Sequence, residues 1–148
     1  MAVGPGTLPE FHPVAGVKIG IASAGIKLNT TLIDGGSVAS AEIGPGSTHV
    51  VYRADARAED VYELYSVPSA GPASAGVQLN PPLPPGGDVI SYQISADGRH
   101  VIYLADHDSD EIAALYSVPV TGPATAAIKL STSDALGGSV WSFQLVSE

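Results

Sequence analysis

Apolar residues in this chain gather into runs of five or six, separated by Gly, Pro and Asp, and the runs return at a fixed interval. In residues 86–136 the first run is Val89-Ile90-Ser91-Tyr92-Gln93-Ile94, followed by the turn Ser95-Ala96-Asp97-Gly98. Asp-Gly between apolar runs predicts a hairpin, because Gly accepts the positive φ that tight turns require. The second run, His100-Val101-Ile102-Tyr103-Leu104-Ala105, is rich in the β-branched and aromatic residues that suit a pleated surface. A polar stretch, Asp106–Glu111, leads to a third predicted strand over Ala113–Val118, which Pro119 ends. After the turn at Gly122-Pro123 a fourth strand is predicted over Ala126–Leu130. Apolar residues occupy both faces of the second strand, as expected of a sheet covered on both sides.

The interval is 51 residues. Gly35-Gly36 returns as Gly86-Gly87 and Gly137-Gly138, His49-Val50-Val51-Tyr52 as His100-Val101-Ile102-Tyr103, and Leu64–Pro68 as Leu115–Pro119. An ungapped alignment of 35–85 on 86–136 has 20 identities in 51 positions. Such a period marks a supersecondary unit that buries its faces only by stacking on copies of itself. The unit 35–85 has the same strand order with a weaker first turn, Gly44-Pro45-Gly46-Ser47. Ile26-Lys27-Leu28 matches Val77-Gln78-Leu79 and Ile128-Lys129-Leu130, so 12–34 reads as the back half of a unit. Residues 137–148 read as the front of another, with a first strand at Val140–Leu145. The opening residues 1–11 read as a vector-derived leader, Glu10-Phe11 being what an EcoRI site encodes.

The segment Ile94–Tyr103, with Asp97-Gly98 ahead of a β-run, resembles the WD40-like PD40 repeat, and Leu115–Pro119 is similar to its continuation. Ala96 stands where that family usually has Pro, and residues 44–47 lack the Asp-Gly pair. The resemblance covers residues 12–145 and implies an all-β fold of four-stranded antiparallel blades, as in TolB-type six-bladed propellers. It also implies an extracytoplasmic bacterial parent. It brings no catalytic residues with it. A propeller needs at least four blades to close, and this chain holds three, one of them split between its ends. The expected assembly is a homodimer of six blades with swapped termini, the 137–145 strand of one chain meeting the 12–34 half blade of the other.

Composition narrows the function. Fifteen acidic residues against six basic ones give a net charge of −9, which argues against nucleic acid as a partner. No apolar run reaches the length of a membrane-spanning helix. The absence of cysteine removes thiol nucleophiles and cysteine-held zinc. No Gly-x-Ser-x-Gly elbow, phosphate loop or dinucleotide fingerprint occurs, and Ser40, Ser66, Ser91, Ser117 and Ser142 sit inside strands.

The candidate chemistry lies in two sets of loops that share a rim in a propeller. The rim candidates for ligand binding are Asp34, Asp88, Asp134, Glu59 and Asp60. The metal candidates are Asp55, Asp106, His107, Asp108 and Asp110. Oxygen-rich clusters suit Ca²⁺, and carboxylate with imidazole suits Zn²⁺ or Mn²⁺. The Asp-x-Asp-x-Asp spacing at 106–110 lacks the Gly and Glu of a calcium loop, and solvated turn residues are the plainer reading. His49 and His100 share a repeat position, which predicts structural hydrogen bonds between units. His107 has no such counterpart, since Ala56 stands at its position.

Three functions follow. The first is a non-enzymatic binding or scaffold module that dimerises and takes a protein or small-molecule ligand. The second is a metal-dependent promiscuous ester or phosphoester hydrolase, with its site at the acidic channel mouth or dimer junction. The third is an engineered or fragmentary model of propeller assembly without a ligand.

Overall fold

The computed structural model describes residues 25–108, 111–132 and 138–147. Among them the chain is all-β, with eight strands in two four-stranded antiparallel sheets. The first sheet holds β1 (Val38–Ile43), β2 (His49–Ala54), β3 (Glu63–Pro68) and β4 (Val77–Gln78) in sequential order. The second repeats it with β5 (Val89–Ile94), β6 (His100–Ala105), β7 (Ala114–Pro119) and β8 (Ile128–Lys129). Helical structure among the described residues amounts to 3-10 turns at Pro45–Ser47, Ala73–Ala75 and Ala124–Ala126.

The 51-residue period is a period of hydrogen bonding as well as of sequence. Tyr52 pairs with Tyr65 and Tyr103 with Tyr116, and every other register pair recurs at the same offset. Even the irregularity that skips one residue is repeated, at Ala39 in β1 and at Ile90 in β5. The Gly-Gly pairs have a division of labour. Gly35 and Gly86 adopt φ of +83° and +81°, which favours glycine. A Cβ on Gly36 would sit 2.6 Å from the Asp55 carbonyl oxygen, and one on Gly87 would sit 2.8 Å from Pro84 Cδ.

The second strand is buried on both faces, as its sequence predicts. Val51 joins Leu64 and Leu79 on the side toward the second sheet, against Val89, Val101, Tyr103, Tyr116 and Val118. Tyr52, Ala54, Tyr65 and Val67 face the other way and pack on Leu28 and Leu32.

Three expectations change. The fourth strands are only two residues long, because a 3-10 turn after each Gly-Pro bend takes up the residues before them. Pro119 belongs to β7, at its last position, where no ladder donor is needed. Neither Ile26–Leu28 nor Val140–Leu145 is a strand, since neither has a paired neighbour among the described residues. The second of these nevertheless docks as the repeat demands: Val140 N–H donates to Ala113 O at 2.8 Å, as Val89 N–H does to Tyr62 O one unit earlier.

Candidate functional site

The acidic loops converge at one end of the sheets, and three of their carboxylates, Asp55, Asp88 and Asp106, are engaged there by backbone amides. At the end of β2, Asp55 is 3% exposed and accepts from the Ser37 N–H at 2.6 Å and from the Ser37 hydroxyl at 3.2 Å. The Ser37 amide, more than any other group, holds the Asp55 carboxyl below the usual carboxylate range, against the effect of burial. Asp106, its equivalent, accepts from the Asp88 N–H, and from the Glu111 N–H at 3.3 Å. Asp60 and Glu111 occupy the same repeat position and both take left-handed φ, 58° and 65°. That twist turns the Glu111 amide onto the Asp106 carboxylate, and the Asp60 amide helps in the same way to lower the Asp55 carboxyl. Asp55 and Asp106 therefore pin the first strand to the second in each unit, a demand every copy of the unit makes.

Asp88 latches one sheet to the next. Its Oδ1 accepts from the Tyr62 N–H at 2.7 Å, beside the Val89–Tyr62 backbone bond. Burial, together with the negative Asp106 and Asp60 nearby, pushes its carboxyl above the ordinary range despite the Tyr62 amide. Ser139 holds the same place one unit later, its hydroxyl accepting from the Ala113 N–H at 2.9 Å. Arg53 completes the latch: its guanidinium lies 4.9 Å above the Tyr62 ring, and its Nη1 donates to Val89 O at 3.1 Å and also to Ile90 O. A shallow groove between β1 and β5 runs beside it, lined by Glu42, Arg53, Ile90 and Tyr92 among others.

Of the other candidates, Asp34, Glu59 and Asp60 are exposed on this rim. Asp108 pairs with Lys129 at 2.7 Å, which lowers its pKa. His107 turns inward, its ring 5.0 Å from that of Tyr116. Asp110 and Asp134 lie outside the described residues. Among the described residues no group of three or more His, Asp or Glu stands close enough to hold a metal ion.

The two strand-leading histidines depart from expectation. His100 is exposed, and His49 Nδ1 lies 3.2 Å from the hydroxyl of its neighbour Thr48, not from the next sheet.

The sequence reading also passed over the tyrosine pairs. Tyr52 and Tyr65 stack with ring centroids 5.2 Å apart, as do Tyr103 and Tyr116. Their recurrence at one offset was the available signal. In the first pair the Tyr65 hydroxyl donates to Glu63 at 2.8 Å. Burial raises the Glu63 pKa, but hydrogen bonds from Arg57, Tyr65 and Gln78 outweigh it and hold the carboxyl below its usual range.

No family model matches the chain, and no solved structure matches it. A stretch of 27 residues is 74% identical to part of the arginine biosynthesis bifunctional protein ArgJ of Pseudomonas fluorescens (strain Pf0-1). The stretch amounts to 18% of this chain and spans 7% of that protein's length, so it is a local similarity alone.

Proposed function

We propose that the chain is a non-enzymatic binding or scaffold module of WD40-like repeats that closes into a β-propeller by pairing with a second copy. The observation that carries this reading is an unequal pair of faces. Leu79 at the end of the first unit is 0% exposed, whereas Leu130 at the same position of the second is 47% exposed, with Ile128 at 61% beside it. The first sheet buries this face against Val101, Tyr103 and Val118 of its successor. Among the described residues the second sheet presents the same kind of face with 138–147 set beside it, and Trp141 of that segment is 88% exposed. Stacking on a further unit buries such a face in repeat architectures, and the partner that the repeat implies is a homologous sheet.

In this reading the rim of Asp34, Glu59, Asp60 and Asp88 faces the ligand side and favours cationic partners.

Native mass spectrometry at micromolar concentration tests the assembly. A species at twice the 15.0 kDa chain mass is expected. A monomer that persists as the concentration rises a hundredfold overturns the reading.

A further inference from the structure

The junction between the second sheet and residues 138–147 repeats the junction between the two sheets without its two largest side chains. Between the sheets, the Arg53 guanidinium lies over the Tyr62 ring and donates to Val89 O and Ile90 O, and its charge acts on the Asp88 carboxylate. One period later Arg53 is replaced by Leu104 and Tyr62 by Ala113, while the acids Asp55 and Asp60 are kept as Asp106 and Glu111. The docked backbone keeps its register. Val140 N–H donates to Ala113 O and Ala113 N–H to the Ser139 hydroxyl, as Val89 N–H does to Tyr62 O and Tyr62 N–H to Asp88. By that register Val140 O and Trp141 O hold the places of the two carbonyls to which Arg53 donates.

Exchanging an arginine and a tyrosine for smaller residues opens space. A cavity of about 210 Å³ lies there, with Leu104 and Ala113 on the side of the sheet and Val140 and Trp141 on the side of the docked segment. Asp106 and Glu111 line it as well, and among the described residues no Lys, Arg or His does. Its volume falls below the ~300 Å³ at which pockets for drug-sized molecules begin, so it suits a ligand of side-chain size. Acidic groups, an apolar wall and an indole together select an organic cation, which Trp attracts through its ring. A guanidinium fits better than an ammonium, because it is less strongly hydrated and its planar fork presents several donors to carbonyls and carboxylates at once. Asp106 already accepts from two amides, and a carboxylate has acceptor capacity beyond that.

We propose that this cavity binds an alkylguanidinium ion in place of the tethered guanidinium that Arg53 supplies between the sheets. The alkyl stem lies against Leu104 and Val140, and the head donates to Asp106, Glu111 and the carbonyls of Val140 and Trp141. Every one of these groups belongs to one chain, so the site stands whether or not two copies close into a ring.

Trp141 is the only tryptophan of the chain and lines the cavity, so its fluorescence reads the site. Propylguanidinium chloride is expected to change that fluorescence saturably, with a midpoint of about 1 mM. Sodium chloride at equal ionic strength and the neutral isostere propylurea are expected to leave it unchanged. The exposed substitution Glu111→Gln should weaken binding about threefold. The double variant L104R/A113Y restores the first unit's own pair, and it is expected to melt higher without ligand and to ignore propylguanidinium. Saturation-transfer NMR on the propyl protons reads binding directly in the natural chain and in Glu111→Gln, whether or not the double variant folds. A capped Gly-Arg-Gly peptide that binds as propylguanidinium does supports the site and assigns it to arginine side chains of a partner. A peptide that fails where propylguanidinium binds supports it for free alkylguanidinium ions. The proposal is overturned if the natural chain gives no saturable response and no saturation transfer, if propylurea binds equally well, or if Glu111→Gln binds propylguanidinium as the natural chain does.

Discussion

Asp88 is the residue at which the latch between sheets is built at a cost. The other copies of its position hold neutral hydroxyls, Ser37 and Ser139, while Asp88 puts a half-buried carboxylate near Asp106 and Asp60. A carboxyl whose pKa is raised by folding takes up its proton in the folded state first, so stability from this group rises as pH falls through the folded value. Asp88→Asn keeps an acceptor for the Tyr62 N–H and removes the charge. It is expected to raise the melting temperature at pH 7, the gain shrinking toward nothing as pH falls below the folded pKa of Asp88. Asp55, Glu63 and Asp108 run the other way, since folding lowers all three. Their stabilisation is complete above the unfolded carboxylate values of about 4 and is lost as pH falls below them. Urea midpoints between pH 7 and pH 3 should therefore decline at the acid end for the natural chain. Arg57→Ala leaves the Glu63 carboxylate, 7% exposed, without its cation. Because Arg57 itself is mostly solvated, the expected loss is about 1–2 kcal/mol by urea denaturation at unchanged m-value.

At the scale of elements the turns and caps carry the unit. The hairpin between β5 and β6 closes through Gly98 at φ +72°, with Asp97 accepting from the Ser95 hydroxyl at 2.6 Å and the Arg99 N–H at 3.0 Å. The corresponding turn of the first unit makes a 3-10 turn at Pro45–Ser47, with Gly46 and Ser47 at positive φ. A Cβ at Gly35 meets nothing within 4 Å, so Gly35→Ala suffers only its φ, roughly 1 kcal/mol. Gly36→Ala drives a methyl to 2.6 Å of the Asp55 carbonyl and is expected to lose about 2 kcal/mol or more in the same measurement. Equal losses at the two positions would refute the division of labour between the paired glycines. Strand order, the Asp-Gly hairpin and the doubly buried second strand were all legible in the sequence, because each follows from side-chain period and local turn chemistry. The two-residue fourth strands and the unpaired Val140–Leu145 were not, because strand pairing is decided by which neighbour is present.

At the scale of the molecule, the contrast between the two faces gives the sharpest expectation. Leu79→Asp buries a charge between the sheets and is expected to unfold the chain. Leu130→Asp, at the same repeat position, lies on the exposed face and should leave the far-ultraviolet circular dichroism unchanged while converting the proposed dimer to monomer in native mass spectrometry. A Leu130→Asp chain that stays dimeric would place the contact elsewhere.

The repeated spacing of apolar runs and turn residues determined, without any coordinates, that this is an all-β chain built from one 51-residue unit. It also placed the acidic loops at one end, since alternate connections of a meander share an end. Tertiary structure alone decided what the acidic and aromatic residues are for. Asp55 and Asp106 look like ligands in the sequence and are spent on backbone amides. Tyr103 and Tyr116 look like core and are left with unpaired hydroxyls. The reason is that a side chain's type and spacing set what it can bond, whereas the groups it meets come from segments far along the chain. A single exchange such as Glu63 for Ala114 across the repeat alters that company without disturbing the pattern that makes the fold.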